Sequence, residues 1–440
     1  MKDKPLPISI VGAGWAGLTA AVQLCKAGIP VNVFEAGTTA GGRARDVQLK
    51  RLSLDNGQHL FIGAYTHILD TLTTVGIDVD AAFDRQPLSL QLLDKNHHRY
   101  NLSATQLPAP LHLLSGLFTN NGFSIKHRYQ IARLSLQFFH NPNSIAPQRT
   151  VQDWLGQHGQ DIELIKTLWE PICLATLNTS IKKSSARIFL RVLKDTFLYK
   201  KEHSDLLFPT KTLSKLFVEP CVDYINKNGG KVYFNKRVTG LAIDNRKIKG
   251  LRFEDKGIKT DEVILAIPPN HCHTLTKPHT EVRELANNLA QFKYEPITTV
   301  YLQYPREIQL EQPMLGLLGT TSQWIFDRRA CHQPGLMAVV MSSSGHHMDL
   351  EREQLADLVK KEISNQFPHW PPAKSAMVIR EKRATFCCDT HVEALRPEAQ
   401  TQLHGLWLAG DYTDTGYPAT LEGAAKSGHD CAKLLTGLYQ

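Results

Sequence analysis

An α/β fold built on a Rossmann-type dinucleotide-binding unit is predicted for this chain by three stretches. These are a strand–glycine–helix–strand run at the start, short alternating strands near the middle, and a strand–loop–helix unit near the end. The first run opens with Ile8-Ser9-Ile10-Val11, whose β-branched residues favour a strand. It passes through Gly12-Ala13-Gly14-Trp15-Ala16-Gly17 into a helical pattern from Leu18 to Lys26, stops at Gly28, and resumes as Val31–Phe34 before Glu35 and Ala36. Gly12 makes the tight turn, Gly14 admits a pyrophosphate close to the backbone, and Gly17 lets the helix pack on the strand. The helix start at Trp15 and Ala16 offers free N–H groups to phosphate. Glu35 lies roughly 20 residues past the first glycine, the spacing of an acid that bonds ribose hydroxyls.

The middle stretch, 229–268, places short strands between Gly and Asn turns and reads as a β-meander. The late unit runs Gly405-Leu406-Trp407-Leu408-Ala409-Gly410-Asp411 through a loop to a helix starting near Thr420. Its helix N-terminus is a second place where backbone N–H groups can face an anion or a polar ring edge. Between these units, 76–205 is mainly helical in pattern, 297–342 holds further strands, and 351–365 is an amphipathic helix. The segment Leu107–Phe118 is prolyl and apolar, either a lipid-facing lip or a buried connection.

With 440 residues the chain can hold two domains. Its 42% hydrophobic and 21% charged residues exclude a disordered or fibrous protein. Fifty basic against 42 acidic residues give a net charge of +8, but the excess is spread out, which argues against a nucleic-acid partner. Eight cysteines without Cys-x-x-Cys spacing suggest neither a zinc site nor a disulfide framework, and no metal site is expected. The opening stretch Met1–Pro7 is polar, and no run reaches the ~18–20 apolar residues that span a bilayer, so a cytoplasmic protein is expected.

Several blocks carry a closer likeness. The opening fingerprint, Gly41-Gly42-Arg43-Ala44-Arg45 and the terminal Ala-Gly-Asp-Tyr-Thr…Glu-Gly-Ala resemble the flavin amine oxidase and phytoene desaturase superfamily. LDNGQHLFIGAY (54–65), LPAPLHLL (107–114), LWEPICLATLN (168–178), YEPITTVY (294–301), REKRATF (380–386) and AGDYTDTGYPATLEG (409–423) are similar to its squalene-associated branch, the bacterial hydroxysqualene dehydroxylases. The resemblance implies a Rossmann-type FAD-binding domain (1–75, 206–275 and 376–440) interleaved with a mixed α+β substrate domain (76–205 and 276–375). It implies FAD cradled by Gly12, Gly14 and Gly17 and by Glu35, with Gly42, Arg43, Gly57 and Gln58 approaching its phosphates and flavin side. Val238 would meet adenine through its backbone, Gly410 and Asp411 the ribityl chain and phosphate, and Thr420 and Leu421 the pyrimidine edge of the ring. No cysteine precedes the terminal loop as in covalently flavinylated amine oxidases, so the FAD is expected to be non-covalent.

The activity implied by the resemblance is reductive removal of an allylic hydroxyl from a long isoprenoid alcohol, hydroxysqualene, to give squalene. An acid must protonate the leaving hydroxyl, reduced flavin must supply hydride, and water must be excluded. An electron donor to the flavin and peripheral contact with the inner face of a membrane complete the expected partners. The acid candidates are His59, Glu170, Asp414 and Tyr417, each with a purely structural alternative, and Tyr412 and Tyr417 make only a weak cage for an amine. A phytoene-type desaturase, an amine oxidase and a non-catalytic prenyl-lipid escort stand as other readings.

Overall fold

The computed structural model describes residues 6–49, 52–119 and 122–439; residues 1–5 of the polar opening stretch lie outside them. Five parallel strands form one sheet in the order Lys231–Tyr233, Val31–Phe34, Ile8–Val11, Val263–Leu265, Leu406–Leu408. Successive side chains leave a strand on opposite faces, so the strand Ile8–Val11 feeds two cores. Ile8 and Ile10 pack with the helices Trp15–Lys26 and Leu421–Tyr439, whereas Val11 joins Leu241, Ile248 and Leu251 on the other face. The sheet is therefore sandwiched between helices and a three-stranded antiparallel meander, Gly240–Asp244, Lys247–Arg252 and Gly257–Lys259.

That meander is shorter than expected. Lys231–Tyr233 and Val263–Leu265 belong to the parallel sheet instead, and Val238 sits in the irregular link before the meander. Val263, Ile264 and Leu265 form a continuous, fully buried apolar run, which fits a parallel strand covered on both faces better than a half-exposed meander strand.

A seven-stranded mixed sheet forms the second layer, in the order Ser375–Phe386, Tyr294–Gln303, Leu336–Ser342, Trp324–Asp327, Met314–Leu317, Ser89–Leu93, Arg99–Ser103. Two expectations change here. The largely helical reading of 76–205 missed the hairpin Ser89–Leu93/Arg99–Ser103, in which Leu90, Leu92, Tyr100 and Leu102 alternate inward. The boundary at 375/376 would cut the strand Ser375–Phe386 away from its partner Tyr294–Gln303. Over this layer lies the helix Ala186–Phe197, capped by the Ser185 side chain and burying Ile188, Phe189, Leu190 and Leu193. Among the described residues no helix is long and apolar enough to cross a membrane.

Candidate active site

A cavity of about 1180 Å³ runs from the glycine fingerprint to the seven-stranded sheet and the helix Ala186–Phe197. It exceeds the roughly 300–1,000 Å³ of an ordinary small-molecule site and has room for a large cofactor plus a second ligand. At the fingerprint end, Gly12 has φ +104°, and a Cβ there would lie 2.5 Å from the Ala266 carbonyl oxygen. Gly14 faces open cavity, where an added Cβ would meet no protein atom. Gly17 is off the wall: its Cβ would fall 2.1 Å from the Gly12 carbonyl oxygen, so it serves helix–strand contact. Glu35 accepts from the Ala13 N–H (2.9 Å) and the Gly37 N–H (2.7 Å). A carboxylate offers about four lone-pair sites, so two bonds leave capacity for ligand hydroxyls.

The next part of the wall is pinned by Trp15, whose indole N–H donates to the Ala44 carbonyl (3.0 Å) while its ring stacks on Phe217 at 3.9 Å. This holds the 41–45 loop against the helix start, with Ala16, Ala36, Gly42 and Arg43 on the wall. Arg43 Nη2 donates to both Asp411 carboxylate oxygens at 2.8 Å, and Nη1 to the Ala384 carbonyl. The N- and C-terminal motifs, 368 residues apart, are thus joined at the cavity. Gly410 donates its N–H to Ser427 Oγ (2.8 Å). Thr420 Oγ1 accepts from the Gly423 N–H (3.0 Å) at the start of the helix Leu421–Tyr439. Val238, Gly57, Gln58, Thr420 and Leu421 also line the cavity. The terminal loop is shaped by Arg396, which is buried and donates to the carbonyls of Thr413 (2.9 Å), Asp411 (3.0 Å) and Tyr417 (2.6 Å).

Beyond these residues the wall turns apolar, with Leu88, Leu90, Leu102, Ile172, Val192, Phe197 and Phe326. Of the four acid candidates only His59 and Tyr417 reach it. His59 Nδ1 is 3.0 Å from the Gly57 carbonyl, so Nδ1 carries the proton and Nε2 is left as an acceptor. Burial, aided by the Arg328 cation, pushes its pKa down and keeps the ring neutral. In that state His59 accepts a hydrogen bond and holds no spare proton, which weakens the case for it as the acid. Burial and the neighbouring Asp195 carboxylate push the Tyr417 phenol well above its ordinary value, so it stays protonated.

Glu170 and Asp414 do not border the cavity. Ile172, Ala175 and Thr176 bring one face of the helix Glu170–Leu177 to the wall. Glu170, two positions before Ile172 at about 100° per residue, points away. Asp414 is exposed, and its N–H donates to the Pro397 carbonyl (2.9 Å). Trp154 and Trp169 set their rings edge-on to Phe189 in the core, and Tyr412 is buried with its hydroxyl 3.1 Å from Cys272 Sγ.

Sequence reading missed Asp195 and Arg396. Asp195 follows Val192 by three positions on a helix whose same face carries Thr196, so a helical projection would have exposed a lone acid on an apolar stripe. Nothing local marks Arg396, whose partners lie 15 to 21 residues further along a loop.

The fold and its glycine-lined cavity define a flavoprotein of the two-layer oxidoreductase kind, and residues 15–436 match the family model for flavin-containing amine oxidoreductases. The chain belongs to that family, and the protein is an FAD-dependent oxidoreductase. It is 29% identical over 463 residues to a hydroxysqualene dehydroxylase of Sinorhizobium fredii, covering 98% of each chain. It is 24% identical to a 15-cis-phytoene desaturase of an Oncidium hybrid cultivar, over 99% of this chain and 78% of that one. Among solved structures it resembles the cyclohexylamine oxidase of Brevibacterium oxydans, with a TM-score of 0.73 at 15% identity over 99% and 100% of the two chains. The non-catalytic escort reading falls with the family assignment.

Proposed function

We propose that this flavoenzyme reductively removes the hydroxyl of hydroxysqualene, or a closely similar long-chain isoprenoid alcohol, to give squalene. One observation carries the reading: the cofactor cradle continues into a chamber walled largely by apolar side chains, Leu88, Leu90, Leu102, Ile172, Val192 and Phe326 among them, with Asp195 and Tyr417 on the same wall. A hydrocarbon with one hydroxyl needs that arrangement, whereas a cationic amine needs an aromatic cage; Tyr412 lies on the cavity wall with its hydroxyl taken up by Cys272 Sγ at 3.1 Å. The full-length similarity to the Sinorhizobium fredii protein supports the same substrate.

Gly12, Gly14, Glu35, Val238, Arg43, Asp411, Gly410 and the helix start at Thr420 and Leu421 all line the cavity and fit FAD. In this reading 6–75, 206–275 and the chain beyond Phe386 hold the cofactor, and the remainder holds the substrate. Among the described residues no cysteine lines the cavity, in keeping with non-covalent attachment. Bound and reduced, the flavin supplies hydride; an external donor must reduce it. The chain's own part is to seat the hydroxyl, exclude water from the apolar chamber and deliver one proton.

The substrate's insolubility calls for delivery from a lipid surface. Leu107, Leu111 and Phe118 are 46%, 51% and 64% exposed, and Ile125 and Tyr129 on the next helix are 86% and 66% exposed. Exposed large apolar side chains grouped in this way fit the interfacial zone of a membrane. Phe138, just beyond, stacks on the cavity residue Phe197 at 6.3 Å, linking this surface to the chamber.

The test is anaerobic incubation of the reduced holoenzyme with hydroxysqualene, with squalene as the expected product. Absence of squalene, together with desaturation of phytoene by the oxidised enzyme, would overturn the proposal in favour of the desaturase reading that the 24% similarity keeps as second.

A further inference from the structure

The apolar chamber holds several hydroxyl groups already committed to backbone. Thr176 Oγ1 donates to the Ile172 carbonyl (2.7 Å), and Ser204 Oγ donates to the Lys201 carbonyl (2.8 Å). His59, as above, presents an acceptor. Tyr417 and Asp195 differ from these, because both line the chamber and their side chains come into direct contact from separate elements. Each stands on a firm support. The Tyr417 carbonyl accepts from Arg396 Nη1 at 2.6 Å, and Asp195 lies in the last turn of the helix Ala186–Phe197, where His203 Nδ1 reaches its carbonyl at 3.0 Å. Arg191, one helical turn before Asp195, lies beside Gly416, 3.5 Å from where a Cβ would stand, and offers partial charge compensation to the carboxylate.

We propose that Asp195 and Tyr417 form the seat of the substrate hydroxyl, with Tyr417 the proton donor to the leaving oxygen and Asp195 the acceptor of the hydroxyl's own O–H. This rests on the dehydroxylase reading above. The alcohol replaces the direct contact between the two side chains, so that its oxygen receives one hydrogen bond from Tyr417 and gives one to Asp195. As the C–O bond breaks, both its electrons go to oxygen, and the Tyr417 proton completes a molecule of water. The Asp195 carboxylate faces the carbon left electron-deficient and stabilises it at short range, where water is excluded. A bound, reduced flavin would supply the hydride that fills that carbon with two electrons and a hydrogen, and the proton left on its oxidation would restore Tyr417. The sum is alcohol plus reduced flavin giving hydrocarbon, water and oxidised flavin.

The experiment reads flavin oxidation in the anaerobic, reduced holoenzyme after mixing with hydroxysqualene or, separately, with ferricyanide. Tyr417→Phe and Asp195→Asn each change a functional group with little change of shape. Each is expected to slow oxidation by the alcohol at least ~100-fold, as loss of a general acid does, while ferricyanide oxidises every variant at the wild-type rate. Asp195→Glu is expected to recover part of the lost rate. Variants that keep the wild-type rate with the alcohol, or that lose the ferricyanide reaction in equal measure, overturn the pairing. Reduced wild-type enzyme that the alcohol fails to oxidise overturns the dehydroxylase reading itself, and this assignment with it.

Discussion

Arg328 and Asp55 meet at 2.8 Å with only 3% of either side chain exposed. The pair anchors a network: Arg328 Nη1 donates to Gln58 Oε1 (2.7 Å), Gln58 Nε2 donates to the His59 carbonyl (2.8 Å), and Asp55 Oδ1 accepts from the Leu213 N–H (2.8 Å). A remote arginine thereby holds the cavity loop 57–59 in place. Removing one partner strands the other as an uncompensated buried charge. Arg328→Met is therefore expected to cost about 3–5 kcal/mol of stability. The double variant Asp55→Asn/Arg328→Met should regain much of that loss. Denaturant melts check it, and a single variant no less stable than the double would refute the coupling.

The fingerprint glycines divide into two kinds of requirement. Gly17→Ala forces a methyl to 2.1 Å from the Gly12 carbonyl oxygen and is expected to impair folding itself. Gly14→Ala meets only open cavity, so the chain should fold with near-normal thermal stability and lose bound flavin. The flavin-to-protein absorbance ratio, measured beside the melting temperature, separates these outcomes. Equal flavin content in wild type and Gly14→Ala would show that the cofactor does not pass there.

Arg396 organises the terminal loop through carbonyls that no shorter cation can reach together. Arg396→Lys keeps the charge but loses the planar fork. It is expected to lower flavin retention and to make the 411–417 loop more susceptible to limited proteolysis. Unchanged cleavage kinetics would argue that the loop holds its shape unaided.

Buried histidines set the acid limit. Burial depresses the pKa of His59, His112 and His347. In the unfolded chain each titrates near 6.5. Below that pH the unfolded state binds more protons than the folded one, so stability falls as pH drops and is recovered above it. Melting temperatures should thus decline from pH 7 to pH 5. His59→Gln should flatten the slope, because it removes one of these depressed imidazoles. A slope unaffected by that substitution would show that His59 does not contribute.

The apolar surface makes a prediction of its own. Replacing Leu111, Phe118 and Ile125 with serine removes large side chains that are all more than half exposed, so the fold should be spared. Co-sedimentation with anionic liposomes is expected to fall at least ~10-fold, because about 0.8 kcal/mol is lost for each buried methylene. Activity on detergent-dispersed substrate should persist. Undiminished sedimentation would remove this surface as the lipid contact.

The opening fingerprint and the terminal Gly-Asp unit were legible because their constraints are local. Gly12 must hold φ +104°, Gly17 must clear the Gly12 carbonyl five residues before it, and Glu35 must close back on Ala13. Spacing along the chain encodes all three. The hairpin Ser89–Leu93/Arg99–Ser103 was lost in a helical background because strands so short carry little periodic signal. The Val263–Leu265 run had a readable composition, but which sheet it joined depended on partners more than 140 residues away at Leu406–Leu408.

Sequence alone determined the fold class and the family, since both depend on backbone conformations that only certain residues permit at fixed spacings. Tertiary structure decided what faces the chamber. It turned Glu170 and Asp414 away, made His59 a neutral acceptor, and brought Asp195 from one helix into contact with Tyr417 from a loop 222 residues later in the numbering. Side-chain direction and burial are set by packing between distant segments, and no spacing within either segment records it.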